Sequence, residues 1–195
     1  MHNRPQASQN SGANLTKGLA AGIVAGFVAS AVMNQFQKVL GEIIIGEERS
    51  HGAQSLQTGA PRRGAGRMLE ERGVEDPKDD SAERLAQTIS VGVFDHELSE
   101  SEKDKAGTAF HYAYGVSMGA AYGLAAEVMP EATIGEGMPY GALIWVGADE
   151  IVVPMLGLSK SAGEYSLPVL ASAFAAHLVY GLTLETTRRV VRNAL

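Results

Sequence analysis

The segment GLAAGIVAGFVASAVMNQFQ, residues 18–37, decides the fold because it contains 20 consecutive residues without a charged side chain. A helix needs about 20 apolar residues to cross the hydrocarbon core of a bilayer. Three further segments reach that length, and their only charged side chains are Asp149 and Glu150. These segments are residues 106–126, 137–159 and 165–184. The sequence therefore predicts an all-α fold, a four-span transmembrane helical bundle.

The four spans are expected within a single membrane domain, residues 17–195. We place them at about residues 18–38, 106–129, 137–159 and 165–187. Residues 1–16 are rich in Asn, Gln and Ser and are predicted to form a disordered polar tail. Residues 41–105 form one long extramembrane loop with 15 acidic and nine basic side chains. Gly and Pro predict that its first half is irregular.

The second half of this loop is predicted to be helical. Two capping boxes indicate helix starts, Asp80 with Glu83 and Ser99 with Glu102. Three apolar residues then recur at helical spacing on one face: Leu85, Ile89 and Val93. Such a stripe is typical of a helix that lies on the membrane surface or covers the mouth of a bundle.

Two other interpretations of the apolar segments stay open. One is a soluble, Ala- and Gly-rich bundle of four buried helices. The other concerns the first segment alone, where Ala29-Ser30-Ala31 follows an apolar run as in a signal peptide. The long polar leader before Lys17 and the amides and lysine that follow favour a spanning helix instead.

Composition excludes several classes of function. The absence of cysteine excludes a disulfide framework, thiolate catalysis and Cys-ligated zinc. The net charge of −6 disfavours nucleic acid as a partner, because phosphate binding needs a basic surface. No nucleophile–base or metal-ligand spacing is present, so we expect no enzymatic activity, no cofactor and no metal.

Small residues recur at every fourth position of the first two spans. The most regular series are Gly18, Gly22, Gly26 and Gly115, Gly119, Gly123. Between helices in lipid there is little hydrophobic attraction, so small residues that permit close backbone approach supply the packing. These glycines are predicted to pack helices, within one chain or between two copies.

Four ionisable residues form a predicted intramembrane polar cluster: His111, Asp149, Glu150 and His177. An acid at the bilayer centre costs at least about 2.5–3.5 kcal/mol, so each group needs a partner or water. The Asp149/Glu150 pair and His177 lie near mid-depth and are expected to approach one another, with His111 as an outer neighbour. Adjacent helical residues diverge by roughly 100°, so one of the two acids is expected to reach a partner in the bundle and the other to be protonated or hydrated. The cluster indicates a proton- or ion-handling site, a buried group that fixes helix register, or a two-His metal site.

The sequence resembles the YagU-like bacterial inner-membrane proteins. The resemblance rests on GLAAGIVAGFVAS, HYAYGVSMGAAYG, MPYGALIWVGADEIVVPMLGL and HLVYGLTLETTRR, which cover all four spans. Its most specific positions are Trp145, Asp149, Glu150 and Pro154, followed by His177, Tyr180, Gly181 and Glu185. The resemblance implies a multi-pass inner-membrane protein with a loose association with acid resistance. It implies no enzymatic activity and supplies no catalytic residue.

We therefore expect a protein of the bacterial inner membrane that handles protons or small solutes, under acid stress. The alternative is a non-transporting structural or partner subunit whose glycine faces form a homo-oligomer. The basic cluster Arg188, Arg189 and Arg192 after the fourth span places both termini in the cytoplasm. The lipid bilayer is the expected partner.

The apolar segments generate the first prediction. The protein should sediment with membranes and stay there after extraction with alkaline carbonate, because its spanning segments lie in the hydrocarbon core. Immunoblotting of the membrane and soluble fractions measures this. Recovery in the soluble fraction without detergent would contradict the membrane interpretation.

Overall fold

The computed structural model describes residues 14–44, 63–76 and 78–195, and every regular element in these ranges is helical. Most of the predicted polar tail and the first part of the long loop lie outside the described residues. The first helix already begins at Leu15, so the end of the predicted tail at residue 16 is wrong by two residues.

The helices follow one another in the order α1 to α7. Their bounds are Leu15–Ile44 (α1), Gly64–Arg72 (α2), Ser81–Phe94 (α3), Glu100–Val128 (α4), Met138–Ile144 (α5), Val153–Met155 (α6) and Leu167–Ala194 (α7). A π-helical segment, Trp145–Val152, joins α5 to α6 without a break. Short 3₁₀ turns precede α5 and α7, at Pro130–Thr133 and Ala162–Glu164.

Helix α1 lies between α4 and α7, and α5 packs along α7. The α1–α4 pair is antiparallel, because Gly22 lies opposite Gly119 and Gly26 opposite Gly115. Helix α3 packs on α4, and the N–H of Ala65 at the start of α2 donates to the Leu156 carbonyl, 2.9 Å away. The long helices thus alternate in direction, and α2 and α3 contact the end of the bundle at which α4 begins and α6 ends.

The bundle buries small residues and exposes large apolar ones. Along α1, Ala21, Ala25 and Ala29 are fully buried, whereas Phe27 is 56% exposed. Leu143 of α5 is 65% exposed. A helix in a water-soluble bundle turns its large apolar residues inward and its polar residues outward. The described helices show the opposite arrangement.

Two helices, rather than the predicted four, are each long and apolar enough to cross a membrane within the described residues. They are Leu15–Leu40 and Leu167–Ala194. Helix α4 is not among them, because its Gly, Ser, His and Tyr residues lower its mean hydropathy. The predicted third span is divided among α5, the π-helical segment and α6, so it forms no single long α-helix.

The long loop differs from the prediction in two places. Its first half is not irregular throughout, since Gly64–Arg72 is helical. On α3, the buried face is polar, while the predicted apolar stripe points outward: Ile89 is 37% and Val93 69% exposed. The reason is that α3 meets the charged first turns of α4, where its polar residues find partners. Both predicted capping boxes are present.

The glycines of α1 and α4 bring the two backbones into direct contact. A Cβ atom on Gly26 would lie 2.6 Å from the Gly115 carbonyl oxygen, and one on Gly119 would lie 2.6 Å from the Gly26 Cα. Gly18, Gly22 and Gly123 are equally enclosed by the opposite helix. Since backbone rather than a flexible side chain fills this space, no larger residue fits without separating the helices.

Replacing Gly119 by Ala should lower the stability of the bundle by about 1–3 kcal/mol, the usual cost of overpacking a filled interior. Gly147→Ala is the matched control, because a Cβ there meets no atom within 4 Å. Thermal unfolding of the purified protein in detergent measures both. Equal midpoints for Gly119→Ala and Gly147→Ala would contradict the α1–α4 contact.

Candidate functional site

His177 of α7 and Asp149 of the π-helical segment meet inside the bundle. The imidazole Nε2 lies 3.3 Å from Asp149 Oδ2, and the side chains are 9% and 16% exposed. The other ring nitrogen, Nδ1, lies 2.9 Å from the Ala173 carbonyl oxygen. A carbonyl oxygen only accepts, so Nδ1 carries a proton.

This geometry makes the His177–Asp149 contact a proton-holding pair. With Nδ1 protonated, a hydrogen bond between Nε2 and the carboxylate requires one further proton. That proton belongs either to an imidazolium beside a carboxylate or to a carboxylic acid beside a neutral imidazole. Both forms have the same net charge, but the first is an ion pair and the second consists of two neutral groups, so moving the proton between the side chains changes the charge separation.

Glu150 lies beside Asp149 rather than on another side of the helix. Both residues line one recess, whose remaining wall is formed by Ser159, Tyr165, Val169, Leu170 and Ala173. The prediction that adjacent residues must diverge by about 100° assumed an α-helix. A π-helix needs more residues for each turn, so neighbouring side chains diverge less.

The π-helical winding has a visible cause in the sequence. The N–H of Val153 donates to the Ala148 carbonyl five residues earlier, and Pro154 follows with no N–H to donate. In an α-helix, the ring of Pro154 would clash with the carbonyl of Glu150. A wider turn before the proline relieves that clash, and π-helical turns of this kind are frequent at functional sites.

His111 of α4 approaches this pair but does not bond to it within the described residues. Its Nε2 is buried and has no hydrogen-bond partner there. The ring lies within electrostatic range of His177 on one side and of Asp80, at the start of α3, on the other. The four predicted site residues therefore share one region, and the α4–α7 contacts Tyr180–Gly115 and Arg192–Glu127, each between residues 65 positions apart, place His111 at nearly the depth of His177.

Metal-ligating atoms converge elsewhere among the described residues, at Asp76, Asp79 and Glu100. The Lys103 ammonium lies 3.1 Å from Asp79 and 3.0 Å from Glu100, so a cation of the protein itself already occupies that position. This buried ion pair joins the start of α3 to the start of α4.

Sequence reasoning did not anticipate the hydrogen bonds that hold the site in place. The hydroxyl of Tyr180, one turn after His177, donates to the Gly115 carbonyl at 2.6 Å. Likewise the hydroxyl of Tyr140 donates to the Met118 carbonyl at 2.8 Å. The sequence repeats the pattern HxxYG at residues 111–115 and 177–181, but this spacing does not reveal that Tyr180 reaches the Gly115 carbonyl, and Tyr140 lies outside it.

The far end of the bundle is closed by ion pairs. Glu185 is fully buried and accepts from Arg188 Nε at 2.7 Å and from Arg189 Nε at 2.6 Å. Arg192 pairs with Glu127 of α4. The basic residues that were used to predict membrane orientation are therefore also structural.

The contact of α3 with α4 contains a carboxyl group with a shifted pKa. Burial raises the pKa of Glu83 to about 7, opposed by the hydrogen bond that its carboxylate accepts from the Asp80 N–H. The charge of Asp80 and a hydrogen bond with Asp104 raise it further. Glu83 also packs against Gly107 of α4.

Comparison with known proteins places the chain in a family. Residues 57–186 match the family described as "Protein of unknown function (DUF1440)". The match includes His111, Asp149, Glu150 and His177. No curated protein and no solved structure matches the chain.

The α3–α4 contact should weaken as the pH rises from about 4.5 to about 7. The pKa of Glu83 is higher in the fold than its ordinary value of 4.5, so its contribution is fully present below pH 4.5 and is lost as the pH passes through about 7. Hydrogen exchange of the α3 amides across this range measures the effect, and Glu83→Gln should abolish it. An unchanged pH dependence in Glu83→Gln would assign it to another group.

Proposed function

We propose that this chain, which belongs to the DUF1440 family of proteins of unknown function, is a four-span membrane protein that handles protons through His177 and Asp149. The single observation that carries the proposal is their buried contact at 3.3 Å, with Nδ1 of His177 already bonded to a carbonyl. The contact therefore holds a transferable proton in the bundle interior.

Membrane location is supported by the distribution of apolar side chains. Exposed large apolar residues occur on each long helical segment: Ile23, Val24 and Phe27; Phe110 and Tyr114; Leu143, Val146 and Ile151; and Leu182. Soluble monomers rarely expose apolar patches larger than a few hundred Å². Surrounding lipid would cover these faces and avoid the free-energy cost of exposing apolar side chains to water. We propose the lipid bilayer as the partner.

Crossing by four segments is supported by their packing. Helix α4 and the segment from α5 to α6 lie alongside α1 and α7, the two helices that are apolar enough to span alone. The 18 residues of Met138–Met155 correspond to about 27 Å at 1.5 Å per residue, close to the hydrocarbon thickness. Their ionisable residues His111, Asp149 and Glu150 are partly buried by the neighbouring helices.

A polar route to the pair supports proton handling rather than a static contact. Asp80, at the end of the bundle at which α4 begins, and His177 both lie within electrostatic range of His111, and His177 contacts Asp149. At the same end, Glu150 lines the recess beside Asp149 together with Tyr165, which lies in the connection from α6 to α7. Histidine changes its charge in the mildly acidic range, which suits the acid-stress role implied by the resemblance.

The proposed setting is the bacterial inner membrane with cytoplasmic termini, and the proposed role involves no enzymatic reaction. Oligomerisation through the glycine faces, the alternative role, has less support. Gly22, Gly26, Gly115 and Gly119 are already covered within one chain by the α1–α4 contact. A partner would have to bind another surface.

Asp149→Asn should abolish proton movement while leaving insertion and assembly intact, because an amide cannot take up the shared proton. The assay is acidification of a pH-sensitive dye inside liposomes that contain the purified protein, after an external pH drop. Glu131→Gln is the matched control, since Glu131 is an exposed carboxylate at the far end of the bundle. A wild-type rate in Asp149→Asn, or no flux above empty liposomes in the wild type, would contradict the proposal.

A further inference from the structure

The π-helical segment is anchored at its start to the helix that carries His177. Gly141 of α5 packs directly on the His177 backbone, so that a Cβ atom there would overlap the His177 carbonyl oxygen. Gly181 packs in the same way against Gly137. The direction of every later side chain in the segment therefore depends on the number of residues in each helical turn after this contact.

If this segment were an α-helix, each side chain after the contact would point in about the direction that the side chain of the next residue takes in the π-helix. The π-helix bonds each N–H to a carbonyl five residues earlier, and the α-helix to one four residues earlier. From a fixed start, an α-helical turn would carry Asp149 to the place that Glu150 now holds. Glu150 would take the outward direction of Ile151, which is 49% exposed.

The same change would remove the carboxylate from His177. Ala148, now half-buried against the core, would lie where Asp149 lies. His177 would then face a methyl group, and Glu150 would point toward lipid. The pair and the two-carboxylate recess therefore both require the π-helical winding.

We propose that Pro154 is a positioning residue: by withholding its N–H and excluding the α-helical path of the preceding carbonyls, it maintains the winding that places Asp149 against His177 and Glu150 in the recess. Pro154 is buried, and the proposed effect runs through the backbone, because proline has no N–H to donate. The functional meaning of this placement rests on the proposed proton handling, whereas the placement itself can be measured separately.

The chain contains no cysteine, so single cysteines report side-chain direction without interference. Glu150→Cys and Ile151→Cys are prepared in the full chain, reconstituted in liposomes and treated with a charged, membrane-impermeant thiol reagent. A thiol in a hydrated recess ionises and reacts, whereas a thiol facing hydrocarbon does not. We expect Cys at position 150 to react at least about tenfold faster than Cys at position 151.

A second experiment repeats the labelling of both cysteine variants in a Pro154→Ala background, in which residue 154 regains its backbone N–H. Reactivity at position 150 should fall to the level of position 151. Pro168→Ala is the matched control, because Pro168 lies in the first turn of α7, where a missing N–H breaks no helical bond. This control should leave the reactivity at position 150 unchanged.

The labelling outcomes decide the matter independently of proton flux. Equal reactivity at positions 150 and 151 in the native background would overturn the placement, and that arm needs no folded Pro154→Ala variant. Unchanged reactivity at position 150 in Pro154→Ala would overturn the role of Pro154.

Adding Ala148→Asp to Pro154→Ala should restore the dye response lost by Pro154→Ala alone, which a general folding defect would not allow. If liposomes show no flux at all, the labelling pattern still tests the positioning.

Discussion

The structure depends on the direct contact of helix backbones, which glycine alone permits. At Gly26 and Gly119 the α1 and α4 chains touch, and at Gly141 the third segment touches the backbone of His177. Helices this close leave no space between them for Leu or Phe. Many large apolar side chains therefore lie on the outer surface, and along the helix contacts the interior holds Ala, Gly and Ser together with a few larger side chains such as Tyr122, Ile144 and Leu184. A lipid environment is compatible with such a distribution because dispersion contacts rather than the hydrophobic effect hold the helices together.

The same close contact explains why a polar pair is tolerated in the interior. With α5 held against α7, Asp149 and His177 are brought together by backbone contacts that they do not themselves supply. Their remaining hydrogen-bonding capacity is met locally, since Nδ1 of His177 bonds to its own helix. A buried ion pair seldom adds stability over an apolar pair of the same volume. The stability of the bundle therefore does not by itself explain the presence of this pair.

Sequence reasoning succeeded where local rules apply and failed where tertiary contacts decide. The capping boxes at Asp80 and Ser99 depend only on residues three positions apart, and both are present. The meeting of Asp149 with His177 followed from depth and the cost of burial. The winding around Pro154 did not follow, because a proline in a helix can be accommodated by a kink, a break or a π-helical turn. The stripe of α3 points outward at Ile89 and Val93, which is compatible with the predicted alternative of a helix on the membrane surface, since periodicity identifies a face but not the surface that covers it.

The two ends of the bundle differ in a way that matters for access to the pair. At the far end, Glu185 and Glu127 are paired with arginines, whose guanidinium groups stay charged at all ordinary pH values. At the mouth, the end of the bundle at which α4 begins, the α3–α4 contact contains Glu83, whose pKa is raised by burial to about 7. Asp80, which lies within electrostatic range of His111, is at the same end. A change of pH in the mildly acidic to neutral range therefore alters charge at the mouth and leaves the far end unchanged. Because α3 covers the end of the bundle at which α4 begins, acidity acts on the contact between these two helices.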